Sequence, residues 1–461
     1  MKHKPLFLII SLVLIVKILF LMNTYHLPSW DESVFLGMGK WISSSGNVGL
    51  WEEIRPPGLP IMLGLIEQMG LNYIIFSEIL MISFTLGVLT LTYLICLRLF
   101  NIRTAIIASI LTFITPTIFH YSGRIMTGIP ALFFCLLALY LFMTKSYTLS
   151  ALSCFLAFLF RYPAGLIYPI IAILILTSFY DKRIIQVWEN IKNNYSPLMK
   201  FNLTFILLLI VFFTVNKIVY GSFLEPLILA SKHQSTFTGN IQGVSYILFY
   251  PVVLVSSNLF FLFAAFTPKK KNIHYIIIPL AVFFIYFTII PHKKERFLIL
   301  LVPYISVLTA HGIQRLLNIR RDIYYKLAIF FVLFMLLIPT SINSYLATSY
   351  IPKQEPDFVE HYYNFIDKKI NGSILTSDPV PTAYTDNQYI HFYDDPEKGL
   401  EILKENIDSV DAVIYYEEAF PWNSTIHENQ KDEMKRLIMQ KATLLKNASV
   451  WGTSREIYIV N

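Results

Sequence analysis

The sequence predicts an α-helical polytopic membrane protein with about eleven transmembrane helices and a small C-terminal α/β domain outside the bilayer. Three observations predict it. Charged residues make up only 15% of the 461 residues, against roughly 25% in soluble proteins, which is too few to cover a water-facing surface. Apolar residues reach 55%, with a mean hydropathy of +0.56, and they come in blocks close to the ~20 residues a helix needs to cross ~30 Å of hydrocarbon. From about Pro352 the composition turns soluble, with short apolar runs alternating with charged stretches.

The apolar blocks place spans near 5–22, 73–97, 104–120, 128–144, 147–161, 163–180, 201–219, 243–266, 273–291, 297–316 and 324–344. The first follows Lys2-His3-Lys4 but precedes no small-x-small cleavage site, so it reads as an uncleaved span rather than a signal peptide. Lys and Arg favour cytoplasmic loops. With the N-terminus inside, the inner loops hold Lys2 and Lys4, Arg98 and Arg103, Lys145, Lys182 to Lys200, Lys269 to Lys271, and Arg315 to Lys326. An odd number of spans then puts the tail outside. The expected domains are 1–350, a transmembrane domain including the first outer loop at 23–72, and 351–461, an extracytoplasmic soluble domain.

Within the first outer loop, 33–45 reads as an interfacial helix with Trp41 at the membrane surface. Arg55-Pro56-Pro57-Gly58 then makes an extended turn, and 59–69 is a helix too short to span. In the tail, Ser373 to Ser377, Ala412 to Tyr416 and Glu456 to Val460 read as strands, and 396–407 and 427–440 as helices. Sequons begin at Asn371, Asn423 and Asn447, in keeping with an external tail.

The formal charge of +7 follows from topology, because the basic residues sit between apolar blocks, and nucleic acid is set aside. Cys96, Cys135 and Cys154 lie in apolar runs without metal or CxxC spacing and read as packing residues.

Chemistry concentrates at the outer ends of the spans. Asp31 and Glu32 follow the first span beside Trp30, where a carboxylate of raised proton affinity suits a general base for a hydroxyl. As plain solvated acids they would need no role. His292-Lys293-Lys294-Glu295-Arg296, between spans nine and ten, puts positive charge on the outer side. That suits an anionic ligand, and phosphate matches Arg and Lys; binding of lipid headgroups at a solvated turn is the plainer reading. Arg124 and Arg161 also fall at outer span ends, where an ionisable group faces a cavity or snorkels; the Tyr162-Pro163 turn favours function for Arg161. Loop 220–242, with Tyr220-Gly221-Ser222, Glu225-Pro226 and Lys232-His233-Gln234, is a candidate groove wall, and His233 alone is a weak signal.

Trp30-Asp31-Glu32, Arg55-Pro56-Pro57-Gly58-Leu59, Gly123-Arg124-Ile125-Met126-Thr127, Phe160 to Leu166, and Lys294-Glu295-Arg296-Phe297 with Pro303 come in an order that resembles the GT-C membrane glycosyltransferases. The likeness is greatest to the branch of protein O-mannosyltransferases and the lipid A aminoarabinose transferase. It covers about residues 25–180 and 290–315, and the tail only in layout. The resemblance implies a GT-C fold and a polyprenyl- or dolichyl-phosphate-linked sugar as donor. It implies inversion at the anomeric carbon, and an acidic residue near the acceptor, which falls on Asp31 with Glu32 beside it. The acceptor is a protein, lipid or glycan hydroxyl. In that reading His292, Lys293, Lys294 and Arg296, with Arg161 and Arg124, stabilise the departing phosphate. Many relatives carry Asp or Glu just after the third block, where this chain has Gly128. A divalent metal therefore stays open, and no ligand is assigned. Two alternatives stand beside the enzyme: a lipid or sugar transporter or flippase, and a non-catalytic lipid-phosphate-binding paralogue.

Overall fold

In hydrocarbon a backbone that finds no water must satisfy its own polar groups, and a single segment does so as a helix. The computed structural model describes residues 4–23, 28–178, 195–236, 244–268, 272–319, 322–349, 362–393, 396–416, 425–450 and 453–461. Every predicted span falls on helix or on a broken pair of helices. The helices up to residue 178 are α1 (Lys4–Asn23), α2 (Trp30–Ser43), α3 (Gly58–Gln68), α4 (Tyr73–Leu99), α5 (Ile102–Ile114), α6 (Pro116–Tyr121), α7 (Gly128–Met143), α8 (Tyr147–Phe160) and α9 (Ile167–Ser178). Tyr195–Tyr220, Glu225–Thr236, Val244–Ser257, His274–Ile289, Val302–Ile319 and Ile323–Ser349 follow. Lys182, Arg183, Lys192, Lys269 to Lys271, Arg320, Arg321, Asn423 and the end of loop 220–242 lie outside the described residues.

Several spans are interrupted, each for a local reason. The stretch predicted at 104–120 divides at Pro116, which lacks the N–H that a continuing helix needs and leaves Thr115 extended. Asn258 is extended too, and its side chain accepts from Phe260 N. There the helix ending at Ser257 turns by 103° into the 3-10 segment Leu259–Phe266. Among the described residues, Tyr73–Leu99, Tyr195–Tyr220 and Ile323–Thr340 are each long and apolar enough to cross a bilayer singly, and the bent pair adds a fourth if it counts as one span. Tyr195–Tyr220 leaves Leu203, Ile206, Leu207, Ile210 and Val211 exposed, as suits a helix turned towards lipid. The three cysteines are free and buried, as packing residues should be.

The chain separates into two compact units: Met1–Asn23, Glu53–Gly58 and Ile79–Pro352 in the first, and Thr24–Glu52, Leu59–Glu78 and Lys353–Asn461 in the second. Residues 24–52 and 59–78 thus fall in the same unit as the tail, whereas 53–58 fall in the first.

The second unit is built on a five-stranded sheet of β1 (Ser373–Thr376), β2 (Gln388–His391), β3 (Ala412–Tyr416), β4 (Ala442–Val450) and β5 (Thr453–Val460), in the order β2-β1-β3-β5-β4. β1 pairs in parallel with β2 and β3, and β5 runs antiparallel to β3 and β4. Leu375, Val413, Tyr415 and Tyr458 meet Leu403, Met434 and Ile438 of the helices Pro396–Asn406 and Thr425–Lys441 in the core. Arg455 and Asp378, both buried, pair at 2.6 Å.

α2 forms where an interfacial helix is expected, but Glu32 to Lys40 are buried. The tail provides their partners. Thr382 Oγ1 donates to Ser33 O at 3.0 Å, and Lys40 Nζ donates to Thr385 O and Asp386 Oδ1 at 3.0 and 2.9 Å. Gly37 is needed here, because a Cβ on it would come within 2.7 Å of Thr382 Oγ1. Gly49, at φ +84°, donates its N–H to Asn387 O and accepts from Tyr389 N, which ties the loop to β2.

Candidate active site

The first unit gathers cations around an aromatic shelf. α8 ends at Phe160, and Arg161 is extended, at φ −158°, before the Pro-containing 3-10 turn Tyr162–Leu166. The Arg161 guanidinium lies 4.8 Å from the ring centroid of Phe297, a cation–π distance. Its charge interacts with that of Arg296 and with the phenols of Tyr250, Tyr286 and Tyr121. His292 meets the same Phe297 ring edge-on, at 5.9 Å. Phe297 is buried in the 3-10 segment Glu295–Leu300, with Arg296 beside it half-buried.

Lys293 has a local task. Its Nζ donates to the carbonyls of Phe287, Thr288 and Ile290 at 2.8, 2.6 and 2.8 Å. A helix C-terminus leaves such carbonyls without intrahelical partners and favours a cation, so Lys293 closes the end of His274–Ile289. The ammonium also lies 5.3 Å from the Tyr250 ring, and burial lowers its pKa to about 8. Lys294 and Glu295 are exposed.

Arg124 is half-buried in the turn between α6 and α7, and its N–H donates to Tyr121 O at 3.3 Å. Four residues on, Gly128 begins α7. A Cβ built there would lie 3.4 Å from Nη1 of Arg161 and 2.9 Å from Cδ1 of Ile299. The structure therefore brings Arg161, Arg296, His292 and Lys293 together at one shelf, with Gly128 against Arg161. Arg124 lies in the neighbouring turn, its backbone N–H bonded to Tyr121 O.

In the second unit, Asp31 and Glu32 occupy the first turn of α2, where a negative charge is favoured. Ser29 is the N-cap. Its N–H and its hydroxyl both donate to Glu32 Oε2, at 2.9 and 2.6 Å, which closes a capping box. Glu32 is fully buried, whereas Asp31 is half-buried. Trp30 packs edge-on against Tyr393 at 4.9 Å and lies 6.5 Å from Tyr416, and the Tyr393 hydroxyl donates to the buried Glu52. Among the described residues, no three His, Cys, Asp or Glu side chains gather as a metal-binding group. Glu225–Thr236 occupies most of the outer loop predicted at 220–242, with His233 half-buried on it.

Sequence reasoning missed the aromatic shelf of Tyr250 and Phe297 and the pairing of Glu52 with Tyr393. Both join residues far apart in the chain, and no local pattern marks them.

No known family profile and no curated protein matches this sequence. Solved structures do. ArnT from Cupriavidus metallidurans bound to undecaprenyl phosphate is 11% identical with a TM-score of 0.68, covering 99% of this chain and 98% of that one. The apo oligosaccharyltransferase of Archaeoglobus fulgidus is 11% identical with a TM-score of 0.59, covering 90% of this chain and 70% of that one. The arabinofuranosyltransferase AftD from Mycobacteria, at 11% identity and a TM-score of 0.57, is matched over 100% of this chain and 40% of its own. Identity this low speaks for the fold alone. This chain has the polytopic GT-C fold of these membrane glycosyltransferases.

Proposed function

We propose that the chain is a glycosyltransferase that moves a sugar from a polyprenyl- or dolichyl-phosphate carrier to an acceptor hydroxyl on the extracytoplasmic face, with inversion. The observation that carries this reading is the meeting of Arg161 and His292 at the Phe297 ring, with the charge of Arg296 close to Arg161. The similarity in fold to ArnT bound to undecaprenyl phosphate supports it.

The chemistry is a single displacement. The acceptor oxygen bonds to the anomeric carbon as the bond from that carbon to the carrier phosphate breaks. Asp31 takes the hydroxyl proton, and the lipid phosphate leaves with its extra negative charge. The guanidinium groups of Arg161, Arg296 and Arg124 and the His292 imidazole stabilise that charge where it develops. Phosphate is a good leaving group, so one carboxylate suffices, unlike the carboxylate pair of glycoside hydrolases. Glu32 holds the helix that carries Asp31, and Lys293 holds the outer loop; neither needs to touch the substrate.

Lys and Arg asymmetry supports a cytoplasmic N-terminus and an extracytoplasmic tail. Purified protein incubated with a radiolabelled polyprenyl-phosphate sugar and a membrane extract as acceptor source tests the proposal. Label appearing on a new acceptor supports transfer. Label that only crosses the bilayer identifies a flippase and ends the enzyme reading.

A further inference from the structure

Between Pro5 and Met22, α1 carries one charged residue, Lys17, the fourteenth of the helix's twenty residues. Six residues from the helix end, it lies about 9 Å below the outer end. An ionisable side chain at such depth is costly and turns to the protein interior. Ile15, Ile18 and Leu19 are exposed, whereas Lys17 is only 3% exposed.

The ammonium has a definite target. Lys17 Nζ donates to Phe119 O at 2.7 Å and sits 4.1 Å from the centroid of the Phe119 ring. Phe119 lies in the last turn of α6, where a helix presents carbonyls and partial negative charge. The same carbonyl accepts Ser122 Oγ at 2.7 Å, and Thr85 Oγ1 donates to Ser122 O at 3.1 Å. At the other end of α6, Asn258 Nδ2 donates to Thr115 Oγ1 at 2.9 Å. This six-residue helix is therefore tied down at both ends. The Lys17 tie sits five residues before Arg124 and two before Tyr121, whose carbonyl accepts the backbone N–H of Arg124.

We infer that Lys17 is a positioning residue: it fixes the end of α6 and thereby the turn that presents Arg124 to the donor phosphate. This rests on the transferase reading above. Loss of this tie would leave α6 free to fray, and a guanidinium displaced by about 1 Å loses much of its value for a fixed anion.

The test is a double-mutant cycle on binding of undecaprenyl phosphate to the full-length protein, using wild type, Lys17→Met, Arg124→Ala and the double variant. Lys17→Met is expected to raise the Kd about tenfold. In the Arg124→Ala background it should add less than about twofold, because both changes remove the same contact. Lys17→Arg, which keeps the charged donor, should stay within about threefold of wild type. If Lys17→Met does not fold, Lys17→Gln replaces it in the cycle. Additive effects, or a wild-type Kd in the folded Lys17 variant, overturn the role of Lys17 alone. A wild-type protein that binds no undecaprenyl phosphate overturns the transferase reading itself.

Discussion

Gly128 stands directly against Arg161, since a Cβ on Gly128 would lie 3.4 Å from Nη1 of the guanidinium. A side chain at position 128 would thus point at the cation that the proposed mechanism assigns to the carrier phosphate. Glycine leaves that face of Arg161 open. Gly128→Asp would place a carboxylate there as a built-in competitor for the phosphate. It is expected to weaken undecaprenyl phosphate binding by more than about tenfold. Gly128→Ala meets mainly the flexible Cδ1 of Ile299 and should stay within about threefold. Equilibrium binding of the two variants separates charge from bulk.

Lys293 supplies a pH dependence. Its charge closes the end of His274–Ile289 through three carbonyls, and its pKa is lowered to about 8 by burial. Below pH 8 the ammonium is charged and the loop carrying His292 and Arg296 is held. Above pH 8 the amine is neutral and the charge-assisted bonds weaken. Donor affinity should therefore fall about two- to fivefold between pH 7 and 9. Lys293→Arg, charged throughout, should flatten that fall, as titrations of Kd on both proteins would show.

Glu32 and Asp31 are adjacent in sequence but differ in task. Glu32→Ala removes the acceptor of two bonds from Ser29 and should cost about 1 kcal/mol of stability. Thermal unfolding of the purified protein measures this. Turnover per folded molecule should drop far less than in an Asp31 variant.

Arg455 and Asp378 form the buried ion pair of the tail. Arg455→Met leaves Asp378 buried without its counter-charge, and removal of one partner of such a pair costs about 3–5 kcal/mol. Limited proteolysis should then cut the tail at protease levels that leave wild type intact.

Much of the fold was legible because hydrocarbon imposes a simple rule, and each long apolar block became helix. The breaks were less legible. Pro116 gave a local reason for one, but the 103° turn after Ser257 depends on the extended Asn258 and the packing around it. The tail yielded β1, β3 and β5, whose apolar runs are short and continuous. β2 and β4 were missed: Gln388–His391 is short and half polar, and β4 is an edge strand carrying Lys446 and Asn447. Arg161, Arg296, His292 and Lys293 stood out in the sequence as positive charge where the Lys and Arg pattern predicts an outer loop. The division of labour at the site was not legible, because the capping by Glu32 and the closure of a helix end by Lys293 depend on geometry that residue type does not encode. Lys17, a single charge in an apolar span, was passed over, and its partner lies 102 residues away.

The most direct test compares transfer of labelled sugar from a polyprenyl-phosphate donor by wild type and Asp31→Asn under single-turnover conditions. With Asp31 as the base, transfer should fall about 10²- to 10⁴-fold, while undecaprenyl phosphate binding stays within about twofold. An Asp31→Asn protein that transfers sugar at the wild-type rate would contradict the account.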